Sequence, residues 1–127
     1  MQEKDVFEYA VIRVVPRVER EEFLNVGVVL YCPKQKFLKM LFRIEGERSR
    51  AFCSGCDQNN VNEYLLAFER ICTGSNDAGT IGELPIAERF RWLTSPRSTI
   101  VQTSKVHPGF CTDAGEKLEK LFIQLVD

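Results

Sequence analysis

The sequence has few of the residues that most often carry chemistry, and it has no excess of charge of either sign. Its 127 residues include one His, one Trp and two Met, and 17 Lys and Arg against 18 Asp and Glu give a formal net charge of −1. A domain that binds nucleic acid over a large surface is usually basic, so a pI near 5.9 argues against that class. Any contact with nucleic acid would depend on a local patch of cations.

Long hydrophobic runs are also missing. The apolar run from Val11 to Val15 is interrupted by Arg13, and no small-residue cleavage site follows it. We therefore expect no signal peptide, no transmembrane helix and no membrane partner. The five Cys are an odd number, and a chain of this length folds without disulfides. Reduced thiols in a cytoplasm are the simplest interpretation.

The apolar content is sufficient for one core. Hydrophobic residues make up 44% of the chain and charged residues 28%, which is typical of a soluble globular protein. No internal repeat or low-complexity tail divides the sequence. We therefore predict a single domain over residues 1–127.

Four segments predict strands. Residues 7–15, 25–32 and 36–44 are rich in Val, Ile, Leu and aromatic residues, and residues 98–103 alternate weakly between apolar and polar. Gly27, inside the second segment, predicts a β-bulge or a close approach of another backbone.

Helical spacing appears in the middle and at the end of the chain. Apolar residues recur at helical intervals in one stretch: Val61, Tyr64, Leu65, Phe68, Ile71 and Cys72. Gly74 can end this helix in the left-handed conformation, and residues 75–83 have the composition of a loop. Pro85 suits the first position of a short helix, and Asp113 with Glu116 has capping-box spacing before a last helix.

The order of these elements predicts an α+β fold. We expect an antiparallel or mixed sheet of about four strands, with two main helices and a short helix packed on one of its faces.

Residues 88–111 form the most unusual segment. They contain the single Trp and the single His, and no carboxylate lies between Arg89 and Cys111. Arg offers a planar fork of donors, and turn-exposed N–H groups add more, so the segment predicts an anion- or partner-binding site. The candidate residues are Arg89, Arg91, Arg97, Ser98, Lys105 and His107. Alternatively, Arg91 or Arg97 pairs with Glu21 or Glu22 and stabilises the fold.

Two further patterns are incomplete. Cys53 and Cys56 have the spacing of a redox pair, or of half a zinc site that His107 and Cys111 would complete. His107 can alternatively act as a general base, with Cys111 or a hydroxyl of Ser95, Ser98 or Thr99 as the nucleophile. No orienting group or oxyanion donor is recognisable for such a site. We therefore expect no cofactor, with zinc as the alternative.

Four blocks together resemble a known family. YAVIRVVP (9–16), EEFLNVGVVL (21–30) and RWLTSPRSTIVQ (91–102), followed by VHPGFC (106–111), resemble the bacterial family known as domain of unknown function 3037. The family brings no established activity. Its members tend to be encoded beside kinases similar to HipA, the toxin kinase of a toxin–antitoxin pair. The resemblance therefore implies a partner or regulator of such a kinase.

These features favour a cytoplasmic, non-enzymatic module that binds or regulates another protein. Two alternatives stay open: a nucleic-acid-binding accessory protein, and a small hydrolase or transferase that uses His107. If the cationic segment is the interface, Arg97→Ala should weaken binding and leave the thermal midpoint nearly unchanged.

Overall fold

The computed structural model describes residues 4–15, 23–44, 58–97 and 99–126, which adopt an α+β fold. Its strands are β1 (Asp5–Val14), β2 (Leu24–Cys32), β3 (Phe37–Phe42), β4 (Val101–Thr103) and β5 (His107–Cys111). Its helices are α1 (Gln58–Thr73), a 3-10 turn (Asn76–Ala78), α2 (Gly79–Gly82), α3 (Ile86–Leu93) and α4 (Ala114–Leu125). None of these helices is long and apolar enough to cross a membrane.

β1 lies at the centre of an antiparallel sheet. β2 pairs with one edge of β1, and β3 pairs with the outer edge of β2. The other edge of β1 is shared, because β4 pairs with residues 12–14 and β5 with residues 5–9. The sequence did not predict β5, since Pro108 and Gly109 are typical of a turn. An edge strand tolerates Pro where a central strand does not.

Ser104 fills the gap between β4 and β5 along the edge of β1. Its N–H donates to the carbonyl of Val11 at 2.8 Å, and its hydroxyl accepts from the N–H of Val11 at 2.8 Å. The hydroxyl also donates to the carbonyl of Lys105 at 2.9 Å. Ser104 is only 6% exposed. The N–H and hydroxyl of Ser104 therefore satisfy the backbone groups of Val11 between β4 and β5, where neither short strand pairs with β1.

β2 contains a β-bulge beside Gly27, as predicted. Val26 has no partner on β1, because the register shifts between Ile12 and Arg13. The extra residue shifts the alternation of side chains, so Val26 and Val28 pack on opposite faces of the sheet.

Helices cover both faces of the sheet, so the prediction of helices on one face is wrong. α1 and α3 pack on one face, where Leu65 and Phe90 are buried. α4 packs on the other face through Leu118 and Phe122. The physical reason lies in β2, whose near-continuous apolar sequence presents apolar side chains on both faces.

The ends of the helices largely follow the predicted caps. The carboxylate of Asp113 accepts from the N–H of Glu116 at 3.2 Å, and Gly74 ends α1 with a φ of 70°. Pro85 precedes α3 as its N-cap instead of forming its first residue. Residues 75–83 form the 3-10 turn and α2 in place of the predicted loop.

Gln35, in the turn between β2 and β3, joins three elements. Its Nε2 donates to Asp5 Oδ2 at 2.9 Å and to the carbonyl of Thr112 at 3.1 Å. Its Oε1 accepts from the N–H of Ala114 at 2.9 Å. The start of β1, the residue after β5 and the first turn of α4 are thereby held together.

Candidate functional site

Arg89, the first predicted cation, caps the C-terminus of α1. Its Nη1 donates to the carbonyls of Ile71 and Cys72, each at 3.1 Å. The last carbonyls of a helix have no partner within the helix, and a cation there also interacts favourably with the helix dipole. Arg89 therefore has a structural role. It also tends to lower the pKa of Cys72, but burial dominates and raises that pKa to about 12.

Arg97 packs against two aromatic rings that also contact each other. Its guanidinium carbon lies 4.9 Å from the centroid of Phe68 and 4.7 Å from that of Trp92. Its Nη2 donates to the carbonyl of Trp92 at 2.5 Å. Burial lowers its pKa. Arg97 therefore connects α1 to α3 and is not freely available to a partner.

Arg97→Ala is expected to destabilise the fold by about 1 kcal/mol, because two cation–π contacts and a hydrogen bond are lost. This differs from the expectation that the thermal midpoint is nearly unchanged. Urea denaturation, followed by the fluorescence of the single Trp, measures the change. Arg91→Ala, at an exposed position of α3, is the matched control. Equal denaturation midpoints for both variants would contradict the structural role of Arg97.

The remaining predicted residues are divided between separate places. Arg91 is exposed on α3, Lys105 is exposed before β5, and His107 is exposed at the start of β5. Outside the described residues lie Ser98, Cys53, Cys56, Glu21 and Glu22.

The structure does not bring His107 and Cys111 together. They lie four residues apart on β5, so their Cα atoms are separated by about 13 Å. The ring of His107 packs against Tyr9, with 5.3 Å between centroids. Cys111 is 5% exposed, and burial, followed by the neighbouring Cys32, raises its pKa. The two residues therefore cannot act as a base and its nucleophile, nor bind one zinc ion together.

Metal-ligating residues do not cluster elsewhere in the described ranges. No group of three or more His, Cys, Asp or Glu there is close enough to hold a metal ion. The three described thiols, those of Cys32, Cys72 and Cys111, are free and buried.

The most exposed apolar side chains of the sheet lie on and beside β5. Phe110 is 67% exposed and directly faces Val6, which is 51% exposed. Val106 is 39% exposed, and Lys105 and His107 flank it. We call Val6, Val106 and Phe110 the β5 surface. Of the predicted residues, Lys105 lies just before β5, whereas His107 pairs with Tyr9 and projects from the face of the sheet opposite to Phe110.

The position of Val6 explains why the β5 surface is uncovered. Val6 lies on the same face of β1 as Glu8, which faces Tyr31 on β2. Phe90 of α3 packs on Tyr31, with 5.3 Å between ring centroids. Val6 lies two residues before Glu8 on the same face of β1, where neither α1 nor α3 buries it. Sequence reasoning missed Val6 and Phe110, since their exposure depends on the edge position of β5.

A cleft adjoins Phe110 and gives the β5 surface a polar border. Its volume is about 200 Å³, and Lys120 and Glu116 on its wall form an ion pair at 3.0 Å. The other polar residues that line it are Lys4, Thr112, Asp113 and Lys117. Charges of both signs therefore lie beside Phe110.

Comparison with known protein families identifies the family of this chain. A family model described as "Protein of unknown function (DUF3037)" matches residues 9–126, which is nearly the whole chain. No curated protein and no solved structure matches the chain significantly.

Proposed function

Since this chain belongs to the DUF3037 family, whose description assigns no function, we propose from its structure that it is a non-enzymatic protein-binding module. The observation that supports this proposal is the Val6–Phe110 pair on the β5 surface. Contiguous exposed apolar side chains mark interaction sites more often than scattered ones do, and aromatic residues are enriched among those that dominate binding energy.

The partner docks on the face of the β5 surface and does not extend the sheet. Pro108 has no N–H to offer a new strand, and a proline in an edge strand usually turns its nitrogen away from the neighbouring strand. The outer edge of β5 is therefore short of donors. Phe110 projects from a face of the sheet and can enter a pocket of a folded partner.

The family resemblance adds the identity of the partner to this proposal. A kinase similar to HipA, in a system of the toxin–antitoxin type, is the partner that the resemblance implies. Three lysines line the adjoining cleft against two carboxylates, and with Lys105 this excess of positive charge favours a partner whose rim is acidic, because opposite charges at a rim raise the association rate.

Phe110→Asp is expected to weaken the binding of such a kinase at least about tenfold, because an aromatic anchor that the complex would bury is replaced by a charge. The fold should be unaffected, since Phe110 is largely exposed. Both proteins would be purified and treated with nuclease, and the Kd measured by titration calorimetry.

The matched control is Ile123→Asp. Ile123 is 62% exposed on α4 and lies outside the β5 surface, so its substitution should leave the Kd unchanged. Equal losses in the two variants would contradict docking at Phe110. Absence of any complex between the wild-type chain and the kinase, or a complex that nuclease removes, would contradict the proposed function.

A further inference from the structure

Arg13 is a cation in the middle of the sheet, and neither the predicted site nor the β5 surface includes it. It follows the buried Ile12 in β1 and directly faces Asn25 on β2 and Gln102 on β4. Directly opposed residues project from the same face of a sheet, so the three polar side chains are neighbours. They come from the three longer segments that carry the family resemblance.

The ring of Phe23 packs against the guanidinium of Arg13. The guanidinium carbon lies 4.0 Å from the centroid of the Phe23 ring, which is itself 46% exposed. A ring that stacks on the flat face of Arg leaves the N–H edge of the fork available to another partner.

That edge has no acceptor in the part of the chain that the structure describes. The Nε of Arg13 is buried without a hydrogen-bond partner, and neither a hydrogen bond nor an ion pair with a described residue engages its guanidinium. The Oδ1 of Asn25 is also buried without a donor, although Asn25 Nδ2 donates to the carbonyl of Leu125 at 3.3 Å. Burial lowers the pKa of Arg13, but an Arg side chain stays protonated in proteins.

Among the described residues, the other two half-buried arginines differ from Arg13 in their Nη groups, although the Nε of Arg89 is likewise buried without a partner. Arg89 donates to the carbonyls of Ile71 and Cys72, and Arg97 donates to that of Trp92. Arg13 alone of the three has no such bond. A cation that is partly removed from water and left without a partner is unfavourable, and a bound anion relieves that cost.

We propose that Arg13 binds a carboxylate, with its two Nη groups, which unlike Nε are not enclosed, donating to the carboxylate oxygens and Phe23 packing on the guanidinium. A bidentate pair of this kind is the strongest interaction open to a single Arg. Asn25 and Gln102, which face Arg13, are neutral. The single negative charge of a carboxylate would therefore balance the single positive charge of Arg13. A phosphate monoester, with nearly two negative charges, would leave charge uncompensated.

Two sources supply this chemistry, a small carboxylic acid and the Glu or Asp side chain of a peptide. The site lies toward the opposite end of β1 from Val6, so the inference goes beyond the proposed function and does not rest on it.

The test is a titration followed by NMR of the arginine side chains. In the uniformly labelled chain, the Nε–Hε resonance of Arg13 is identified by its loss in Arg13→Lys. Acetate and a capped peptide with a single Glu are the two probes. We expect a saturable shift of this resonance, and binding at least about tenfold weaker in Arg13→Gln, as measured by calorimetry. Arg91→Gln changes the net charge equally and should bind as the wild type does.

Each outcome decides the inference. A comparable response to both probes supports the site and assigns a small carboxylic acid, whereas a much stronger response to the peptide supports it and assigns a protein side chain. No saturable shift with either probe in the wild-type chain would overturn it, even if Arg13→Gln fails to fold. An equal or stronger response to inorganic phosphate or a short oligonucleotide would also overturn it.

Discussion

Gly27→Ala should destabilise the protein by about 3 kcal/mol, because the site has no room for a methyl group. A Cβ at this position would lie 2.5 Å from the carbonyl oxygen of Leu41 and 2.9 Å from the Cβ of Phe42. Gly27 faces Phe42 across the β2–β3 ladder, so the atoms in the way belong largely to the backbone of a paired strand. Room for a methyl group can be made only by separating β3 from β2. The bulge beside Gly27 makes a compensating shift of β2 costly as well.

Urea denaturation of Gly27→Ala and Gly115→Ala measures this effect against a matched control. A Cβ on Gly115 would be 3.4 Å from the nearest atom, an ordinary contact, and Gly115 lies in the first turn of α4. Ala in place of Gly within a helix usually stabilises it by about 0.5–1 kcal/mol, so the two variants should move in opposite directions. A Gly27→Ala variant as stable as the wild type would show that β2 and β3 do not pack this closely.

Ser104→Ala is expected to destabilise the protein by about 2–3 kcal/mol. The substitution removes the acceptor of the Val11 N–H and the donor to the carbonyl of Lys105. The Val11 N–H lies in a region where water does not replace the lost partner, since Val11 is 7% exposed. An unsatisfied buried donor costs about 1–3 kcal/mol, more than the net value of an exposed hydrogen bond.

The control for Ser104→Ala is Ser95→Ala. The hydroxyl of Ser95 is exposed and donates to the carbonyl of Arg91 at 2.8 Å, so water can take its place, and the loss should stay within about 0.5 kcal/mol. Amide hydrogen exchange offers a local measurement, since the Val11 amide should exchange much faster in Ser104→Ala. Unchanged exchange at Val11 would contradict the bridging role of Ser104.

The elements that the sequence predicted well are those whose signal is local. The apolar periodicity of α1, its end at Gly74 and the cap at Asp113 depend only on neighbours in the chain. The bulge beside Gly27 was likewise predicted from one Gly in an apolar strand. In contrast, β5 depends on pairing with a strand about a hundred residues earlier. Its Pro108 and Gly109 have the local preferences of a turn.

The roles of the arginines were not predictable for the same reason. The sequence singled out Arg89 and Arg97, but what they contact depends on how α1 packs against α3. Arg13 was noticed only as an interruption of an apolar run. A charged residue inside a strand with apolar neighbours on both sides was the available signal for a special environment. Which residues face Arg13 could be determined only from the register of β1 with β2 and β4.

The bonds at the two ends of β5 determine how its surface behaves in solution. An edge strand with one paired neighbour usually frays, and a partner must then select one of many conformers. Here Ser104 fixes the chain just before β5, and Gln35 fixes it just after, at Thr112 and Ala114. The β5 surface is therefore pre-organised, and a partner that binds it loses little conformational entropy in doing so.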